Sequence, residues 1–535
     1  MRIVSACTLL SRVLGLGRDM ALAALFGGGP ILDAFIVAFR LPNLARQLFG
    51  EGALTTAFLP VFVRDLERLG SDSARQTLSA VTWTVGSVLL SLVLIAEGVL
   101  WGLLALTDVS PELRPVLELL ALLFPYMVFI CLAALFSAAL HSLRQFLWPG
   151  LVPVVLNVVW LVGTGLAWWL LEEDLPRARL IAVSVVGAGL LQLLLPMYVL
   201  RRQGWAIQRH CPEGWSRVRE VFRAILPVVA GIGLTQIGAV IDSIIAWGLA
   251  ANDSGDAAIC QLFGVAPVLE PGTASALYLG QRLYQFPLGV FGVALGTVLF
   301  PVLTRHAERG DLASLRVDLT RGLQLVAAIA VPASAGLLLL ASPVTELLFR
   351  HGRFDAADAR LATAMVATYG SGVWVYIGLQ IINRAFYAVG DRRTPMKLGL
   401  LALIINLVLN LTLIWMLGGV GLALAGVLSA GTQLLLSLRR LEARVGTLQW
   451  SDVGRTAAKV LIVTAAMSVS MLIITAWLTD DPSLIGRLIR LAVPLLIGGT
   501  VFLAGCKLLR IREVGMLFRP EAVTDPEPTE VTGND

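Results

Sequence analysis

Charged residues are scarce in this chain: they make up 14% of its 535 residues, whereas hydrophobic residues make up 57%. A typical soluble domain is about 25% charged and about 45–50% apolar. A single soluble core stops growing at about 250–300 residues, and no long polar linker divides this chain before residue 509. The composition therefore excludes a soluble enzyme and a disordered protein, and it predicts an all-α polytopic membrane protein.

Cysteine and histidine are also rare: the five cysteines are scattered along the chain, and so are the four histidines. Without a CxxC pair or a Cys/His cluster, we predict neither a disulfide framework nor a sulfur-ligated metal centre. The scattered histidines form no Ser/His/Asp arrangement. The loops carry no cluster of acids of the kind that holds Mg²⁺ in a transferase acting on polyprenyl phosphates. The net charge of +5 gives no reason to expect nucleic acid, because in a membrane protein the position of basic residues matters more than their sum.

Apolar stretches of about 20 residues predict about fourteen transmembrane helices. With a cytoplasmic N-terminus, the cytoplasmic loops carry 27 Lys and Arg and the outer loops carry 7, so the positive-inside rule places both termini in the cytoplasm. The predicted spans are 4–26, 32–59, 78–106, 116–140, 147–171, 180–200, 224–250, 275–303, 322–348, 361–388, 395–417, 419–438, 457–478 and 485–508.

An internal repeat predicts how these spans are grouped. Residues 54–68 resemble 295–309 at an offset of 241, and residues 139–149 resemble 385–395 at an offset of 246. Because six helices separate the copies, the two lobes share one orientation and are related by an axis along the membrane normal. We therefore predict two pseudo-symmetric six-helix lobes, two further helices and a disordered cytoplasmic tail, with the boundaries 1–210, 211–445, 446–508 and 509–535.

Charged side chains inside spans are costly and usually face a cavity that carries function. Arginine pairs six residues apart recur in spans 1 and 2, about 9 Å apart along a helix axis. A guanidinium suits bidentate capture of phosphate or carboxylate, and snorkelling to the membrane edge is the alternative. For Arg18, Arg46 and Arg282 we favour an anion site. The candidate substrate-binding residues are Arg12, Arg18, Asp19, Asp33, Arg40, Arg46, Glu51 and Arg282.

A second group of polar residues lies in spans 7 and 11. Asp242 is near the middle of span 7, and Asn406 and Asn410 share one face of span 11. A carboxylate with two amide oxygens is a ligand set for a hard cation. The same residues also fit an ordinary hydrogen bond between two helices, and the sequence leaves both interpretations open.

Several motifs resemble the MurJ (MviN) family of bacterial lipid II flippases, within the multidrug/oligosaccharidyl-lipid/polysaccharide exporter superfamily. The resemblance runs from about residue 5 to residue 510, and its N-terminal motifs are specific to the family. The matching segments are Ser11 to Gly15, Arg18-Asp19, Asp33 to Phe35, Arg40 to Leu44, Gly50 to Ala53, Phe58 to Pro60, Arg282 to Thr297, Gly390-Asp391 and Thr394-Pro395.

The resemblance implies a flippase that moves lipid II, an undecaprenyl-linked disaccharide-peptide, from the inner to the outer leaflet of the bacterial cytoplasmic membrane by alternating access. It implies two lobes around a cavity with functional arginines, and a groove of spans 13 and 14 for the lipid tail. It further implies a non-enzymatic transporter, expected as a monomer among membrane lipids, that serves peptidoglycan biosynthesis beside the cell-wall machinery and could use Na⁺ as coupling ion.

Some departures and rivals accompany the resemblance. Asn410 stands about where the family has an acid in its sodium site, Gln281 stands where we expect an acid, and loop 251–276 looks longer than usual. A flippase for another polyprenyl-linked glycan, a multidrug exporter of the same fold and, less favoured, a membrane transferase acting on polyprenyl phosphates are the alternative functions. A cationic drug would favour an acidic cavity, whereas the candidate residues here are mainly basic.

Overall fold

A computed structural model describes residues 2–48, 54–251, 266–479, 481–511 and 513–514. Across these ranges the chain forms nineteen α-helices. Their bounds are α1 Arg2–Phe26, α2 Pro30–Ala45, α3 Leu54–Arg68, α4 Ser71–Leu106, α5 Leu113–Leu123, α6 Tyr126–Ser142, α7 Leu147–Leu170, α8 Asp174–Arg202, α9 Pro212–Gly248, α10 Thr273–Pro287, α11 Val293–Glu308, α12 Leu312–Leu339, α13 Ala341–Leu348, α14 Ala356–Ser371, α15 Val373–Ala388, α16 Arg393–Leu417, α17 Gly419–Val445, α18 Trp450–Trp477 and α19 Leu484–Leu508.

The all-helical membrane class predicted from composition is confirmed. In the described ranges, nine spans pass a test of length and apolar composition for crossing a membrane, and the count rises to eleven if two bent helix pairs each form one span. Within the described ranges, each of the fourteen predicted spans lies on one helix or on a consecutive pair, as span 4 does on α5 and α6. The number fourteen itself stays a prediction.

Local sequence explains where several helices begin. Pro30 opens α2, a position where its missing N–H costs no hydrogen bond. The side chains of Asp311 and Ser483 accept from the backbone N–H of Ser314 and Gly486, each at 3.0 Å, and so cap α12 and α19. A π-helical turn at Leu288–Gly292 joins α10 to α11. Such turns are often found at functional sites.

The described residues divide into two compact units. Unit 1 comprises residues 1–283, 344–369 and 396–433, and unit 2 comprises residues 284–343, 370–395 and 434–535. In unit 1, α7 packs against α1 and α8, and in unit 2, α18 packs against α12 and α19. The lobe boundaries inferred from the internal repeat are a separate division of the chain and stay a prediction.

Helices α18 and α19 pack closely because small residues line their contact. A Cβ on Gly498 would lie 2.6 Å from the side chain of Met471, and one on Gly505 would lie 2.7 Å from that of Val463. Both distances are too short for carbon atoms, so the contact needs glycine at each position.

Candidate anion site

The carboxylate of Asp19, on α1, accepts hydrogen bonds from two arginines, Arg18 of α1 and Arg282 of α10. Its Oδ1 accepts from Nε and Nη2 of Arg18 at 3.0 and 2.7 Å, and its Oδ2 accepts from Nε of Arg282 at 2.9 Å. Arg18 and Asp19 are only 5% and 2% exposed, whereas the Arg282 side chain is 36% exposed. Two guanidiniums share one carboxylate, so the group carries surplus positive charge, and Arg282 is its accessible member.

Helix α7 holds Arg18 in place. Nη1 of Arg18 donates to Oδ1 of Asn157 at 3.2 Å, and Nδ2 of Asn157 donates to the carbonyl oxygen of Ser11 at 2.9 Å. The guanidinium of Arg18 also lies 4.2 Å from the ring centroid of Trp160, a cation–π contact. Arg18 is therefore engaged on several sides and positions Asp19, while the hydrogen-bonding capacity of Arg282 is less used.

Gly15 makes the approach of Arg282 possible. A Cβ at Gly15 would lie 2.9 Å from Nη2 of Arg282, whereas at Gly17 it would meet nothing within 4 Å. Helix α1 runs unbroken through both glycines. Gly15 therefore leaves room for the guanidinium of Arg282 at the surface of α1.

A second polar chain connects α2, α10 and α14. Nη2 of Arg40 donates to Oε1 of Gln281 at 2.7 Å, and Nε2 of Gln281 donates to the hydroxyl of Tyr369 at 3.1 Å. Gln281 follows Arg40 by 241 residues, the offset of the internal repeat. An amide at this position accepts from the arginine and donates to the tyrosine, and an ionised carboxylate could only accept.

Asp33 holds the start of α10. Its Oδ2 accepts from the backbone N–H of Gly272 at 3.0 Å, and its Oδ1 accepts from that of Ser275 at 2.7 Å. Asp33 is 1% exposed. A carboxylate at a helix N-terminus satisfies free N–H groups and favours the helix dipole. Asp33 therefore fixes the helix that carries Tyr278, Gln281 and Arg282.

A cleft adjoins these residues, and the space within it, open solvent included, is about 440 Å³. Asp19 and Arg40 supply charge, and Tyr278 donates to Oδ1 of Asp19 at 3.2 Å. The remaining lining is largely apolar and aromatic, which strengthens electrostatic attraction to a ligand by excluding water. These lining residues are Leu22, Leu32, Phe35, Ile36, Phe39, Asn43, Trp160 and Leu279.

Arg12, Arg46 and Glu51 make no described contact with the Arg18–Asp19–Arg282 group. Arg12 is exposed on α1, and Arg46 follows the last residue of α2, where its Nε donates to Oδ1 of Asn43 at 3.0 Å. Glu51 lies outside the described residues, as do residues 252–265 of the loop 251–276. The structure thus brings together Arg18, Asp19 and Arg282.

Sequence reasoning missed three residues of the site: Asn157, Trp160 and Tyr278. Asn157 is a lone amide in an otherwise apolar predicted span, and this signal could have identified it. The two aromatic residues give no comparable signal, because aromatic residues are common in apolar spans and only the fold reveals which of them contacts an arginine.

The polar residues of spans 7 and 11 also meet. Nδ2 of Asn410 donates to Oδ1 of Asp242 at 2.6 Å and lies 3.3 Å from Oδ1 of Asn406. Oδ1 of Asn410 is buried and has no hydrogen-bond partner among the described residues. In the described ranges, no group of three or more His, Cys, Asp or Glu could hold a metal ion. The geometry is an interhelical hydrogen bond. The carboxylate and the two amides carry side-chain oxygens of the kind that a hard cation prefers.

The chain matches the family model "Lipid II flippase MurJ" over residues 22–492. The chain belongs to the MurJ family. Among its relatives, a "Probable lipid II flippase MurJ" of Rhizobium tropici is 30% identical, with 98% of this chain and 96% of the relative covered. A protein of the same description from Vibrio cholerae is 32% identical, with 82% of each chain covered. A "Lipid II flippase MurJ" of Burkholderia cenocepacia is 30% identical, with 81% and 82% covered.

Solved structures share the fold. One described as "Lipid II flippase MurJ, inward closed conformation" matches with a TM-score of 0.75 at 22% identity, covering 96% of this chain and 100% of the other. An inward-facing multidrug resistance MATE family transporter of the MOP superfamily matches with a TM-score of 0.62 at 13% identity, covering 84% and 96%. At these identities the likeness concerns the fold alone. The family expected from the sequence motifs is confirmed.

Proposed function

We propose that this protein is a lipid II flippase: it moves the lipid-linked peptidoglycan precursor from the inner to the outer leaflet of the cytoplasmic membrane by alternating access. The observation that carries the proposal is the Arg18–Asp19–Arg282 group in a chain of the MurJ family. Its surplus positive charge, beside a largely apolar cleft, fits a diphosphate because guanidinium forks match phosphate oxygens. Within this group, Arg282 receives the ligand and Arg18 positions Asp19.

The proposal includes a path for the lipid tail and excludes covalent chemistry. Spans 13 and 14, which lie on α18 and α19, form the groove for the polyprenyl chain, while the headgroup crosses between the lobes. The exposed apolar side chains of these two helices support this assignment, since Leu461, Leu472 and Leu496 are more than half exposed. No bond of the substrate is made or broken, so the protein acts as a transporter and not as an enzyme.

The membrane potential supplies the driving force in this proposal. A potential that is negative inside works on each elementary charge that crosses it, at about 2.3 kcal/mol per 100 mV. Outward movement of the anionic headgroup is favoured, and dissipating the potential should stop transport. Unchanged flipping in fully depolarised vesicles would reject this part of the proposal.

Sodium is a second candidate for coupling. The side-chain oxygens of Asp242, Asn406 and Asn410 would hold the sodium ion. The Oδ1 of Asn410, which is buried and has no partner among the described residues, fits such a role. Bound there, the ion would draw together α9 and α16. Asp242→Asn should abolish any sodium dependence of flipping, and an unchanged dependence would leave the interhelical hydrogen bond as the role of these residues.

The protein's surroundings follow from the same proposal. Multiple apolar helices and membership of the family place it in the membrane as a multi-pass protein. We propose that both termini are cytoplasmic, that the protein acts as a monomer among membrane lipids, and that it works beside the cell-wall synthesis machinery. No nucleic acid takes part.

A flippase for another polyprenyl-linked glycan or a multidrug exporter is the alternative. The MATE transporters show that the fold also serves drug export, but a basic group such as Arg18 and Arg282 disfavours a cationic drug. The test is reconstitution of the purified full chain in vesicles with labelled lipid II, scored by access from the far side. Transport of lipid II supports the proposal, and transport only of another glycan lipid or of cations would overturn it.

A further inference from the structure

Arg384 is an arginine within the spans that has no role in the site described above. Arg384 lies in α15, four residues before the helix ends, and its side chain is partly exposed. Within the described ranges its guanidinium makes no hydrogen bond, ion pair or ring contact. A charged side chain inside a span is costly unless it pairs or faces water, so Arg384 is a candidate for binding an anionic group.

Arg384 belongs to a polar stripe on one face of α15. Tyr376, Gln380, Asn383 and Arg384 fall within about 100° of one another around the helix, and all four are partly exposed. Oε1 of Gln380 and Oδ1 of Asn383 are buried and have no hydrogen-bond partner among the described residues. Lipid cannot satisfy amides or a guanidinium, so this face needs a polar partner.

The facing part of unit 2 is shaped to admit these side chains. Gly292 and Gly296 are one helical turn apart, at the π-helical turn and on α11. The Gln380 amide lies where a side chain at Gly292 would begin, and the Arg384 guanidinium lies where one at Gly296 would begin. The glycines thus seat the polar stripe against the helix, with the arginine among amides that can bond to a sugar or a peptide.

We propose that this stripe binds the sugar–peptide part of the lipid-linked substrate and that Arg384 takes a carboxylate of its peptide. This inference rests on the proposed function, because it assigns a partner to a second anionic group of the proposed substrate. A guanidinium flanked by unpartnered amides suits a carboxylate beside amide and hydroxyl groups.

The test compares three probes on the purified full chain: lipid II, undecaprenyl diphosphate, which lacks sugar and peptide, and lipid II with its peptide carboxylates amidated. Arg384→Ala should weaken lipid II binding about tenfold to a hundredfold, the loss typical of one charge-assisted bond. It should leave undecaprenyl diphosphate binding unchanged. The native protein should bind amidated lipid II as weakly as the variant binds lipid II.

Two further variants separate binding from folding. Gly296→Ala places a methyl group where the guanidinium lies and should give the same selective loss. Arg392→Ala removes one charge from the exposed loop just after α15 and should change none of the three affinities.

The outcomes distinguish this inference from the function itself. Equal loss of lipid II and undecaprenyl diphosphate binding in Arg384→Ala, or no loss of either, would overturn the inference while lipid II binding by the native protein upheld the function. Failure of the native protein to bind lipid II at all would overturn both.

Discussion

Asp19 and Arg282 are joined by a hydrogen bond of 2.9 Å between Oδ2 and Nε, although 263 residues separate them in the chain. The other oxygen of the same carboxylate accepts from Arg18. One buried acid therefore links two arginines from different helices. Removing any member changes both the charge of the group and the position of the remaining two.

Substituting Gly15 should reduce flipping without unfolding the protein. The added methyl group of Gly15→Ala would lie 2.9 Å from Nη2 of Arg282 and push the guanidinium aside. Gly17→Ala is the matched control on the same helix, because its methyl group meets nothing within 4 Å. Alanine in a helix is also favoured over glycine by about 1 kcal/mol. Vesicle flipping should fall only for Gly15→Ala, and equal rates for the two variants would contradict the role given to Gly15.

Neutralising Asp19 should destabilise the protein. Asp19→Asn leaves two guanidiniums without their shared counter-charge, and losing one partner of a buried ion pair costs up to about 3–5 kcal/mol. The apparent melting temperature in detergent should fall clearly. Asp452→Asn is the control, since its carboxylate is 42% exposed and its pair with Arg455 is a weak surface contact. If both variants melted with the native protein, Asp19 would not organise the group.

The ion pair of Glu220 with Arg64 should make a small, acid-dependent contribution to stability. Hydrogen bonding to Arg64, at 2.7 and 2.9 Å, lowers the pKa of the Glu220 carboxyl below its usual range. A lowered pKa stabilises the fold above the unfolded-state pKa of about 4.3 and loses that effect as pH falls through the folded-state value. The side chains of Glu220 and Arg64 are 45% and 35% exposed. Because solvent screens such a pair, its contribution to stability is below about 1 kcal/mol.

Comparison of melting temperatures from pH 7 to pH 3 checks this. Below about pH 4 the melting temperature of the native protein should lose the small increment that the Glu220 ion pair contributes. The Glu220→Gln variant should lack this increment at every pH. A difference that instead grew on acidification would show that the sign is wrong.

The excess of basic residues in the predicted cytoplasmic loops, 27 against 7 in the outer loops, predicts the membrane topology of the chain. A reporter fused after Arg519 should report the cytoplasm, and one inserted near Asp256 should report the outside. An outside signal at the C-terminus would mean that a span was miscounted.

Composition and charge placement predict the fold class and part of the site. Scarce charge predicts the helical membrane class, and the rule that intramembrane charges are functional includes Arg18, Asp19 and Arg282 among its candidates. Asn157 and Tyr278 were not predicted, because their roles depend on which helices become neighbours. The division of labour between Arg18 and Arg282 also needs coordinates, since burial distinguishes two residues that look alike in sequence.

The most direct test of the account is lipid II flipping by arginine variants in sealed, energised vesicles. Arg282→Ala should reduce transport about tenfold or more while the protein inserts and accumulates normally, because one charge-assisted phosphate contact is lost. Arg282→Lys should restore it only in part, since lysine offers a point charge without a fork. Arg68→Ala, an exposed arginine at the end of α3, should flip at the native rate. Native rates for Arg282→Ala would contradict the anion-site account.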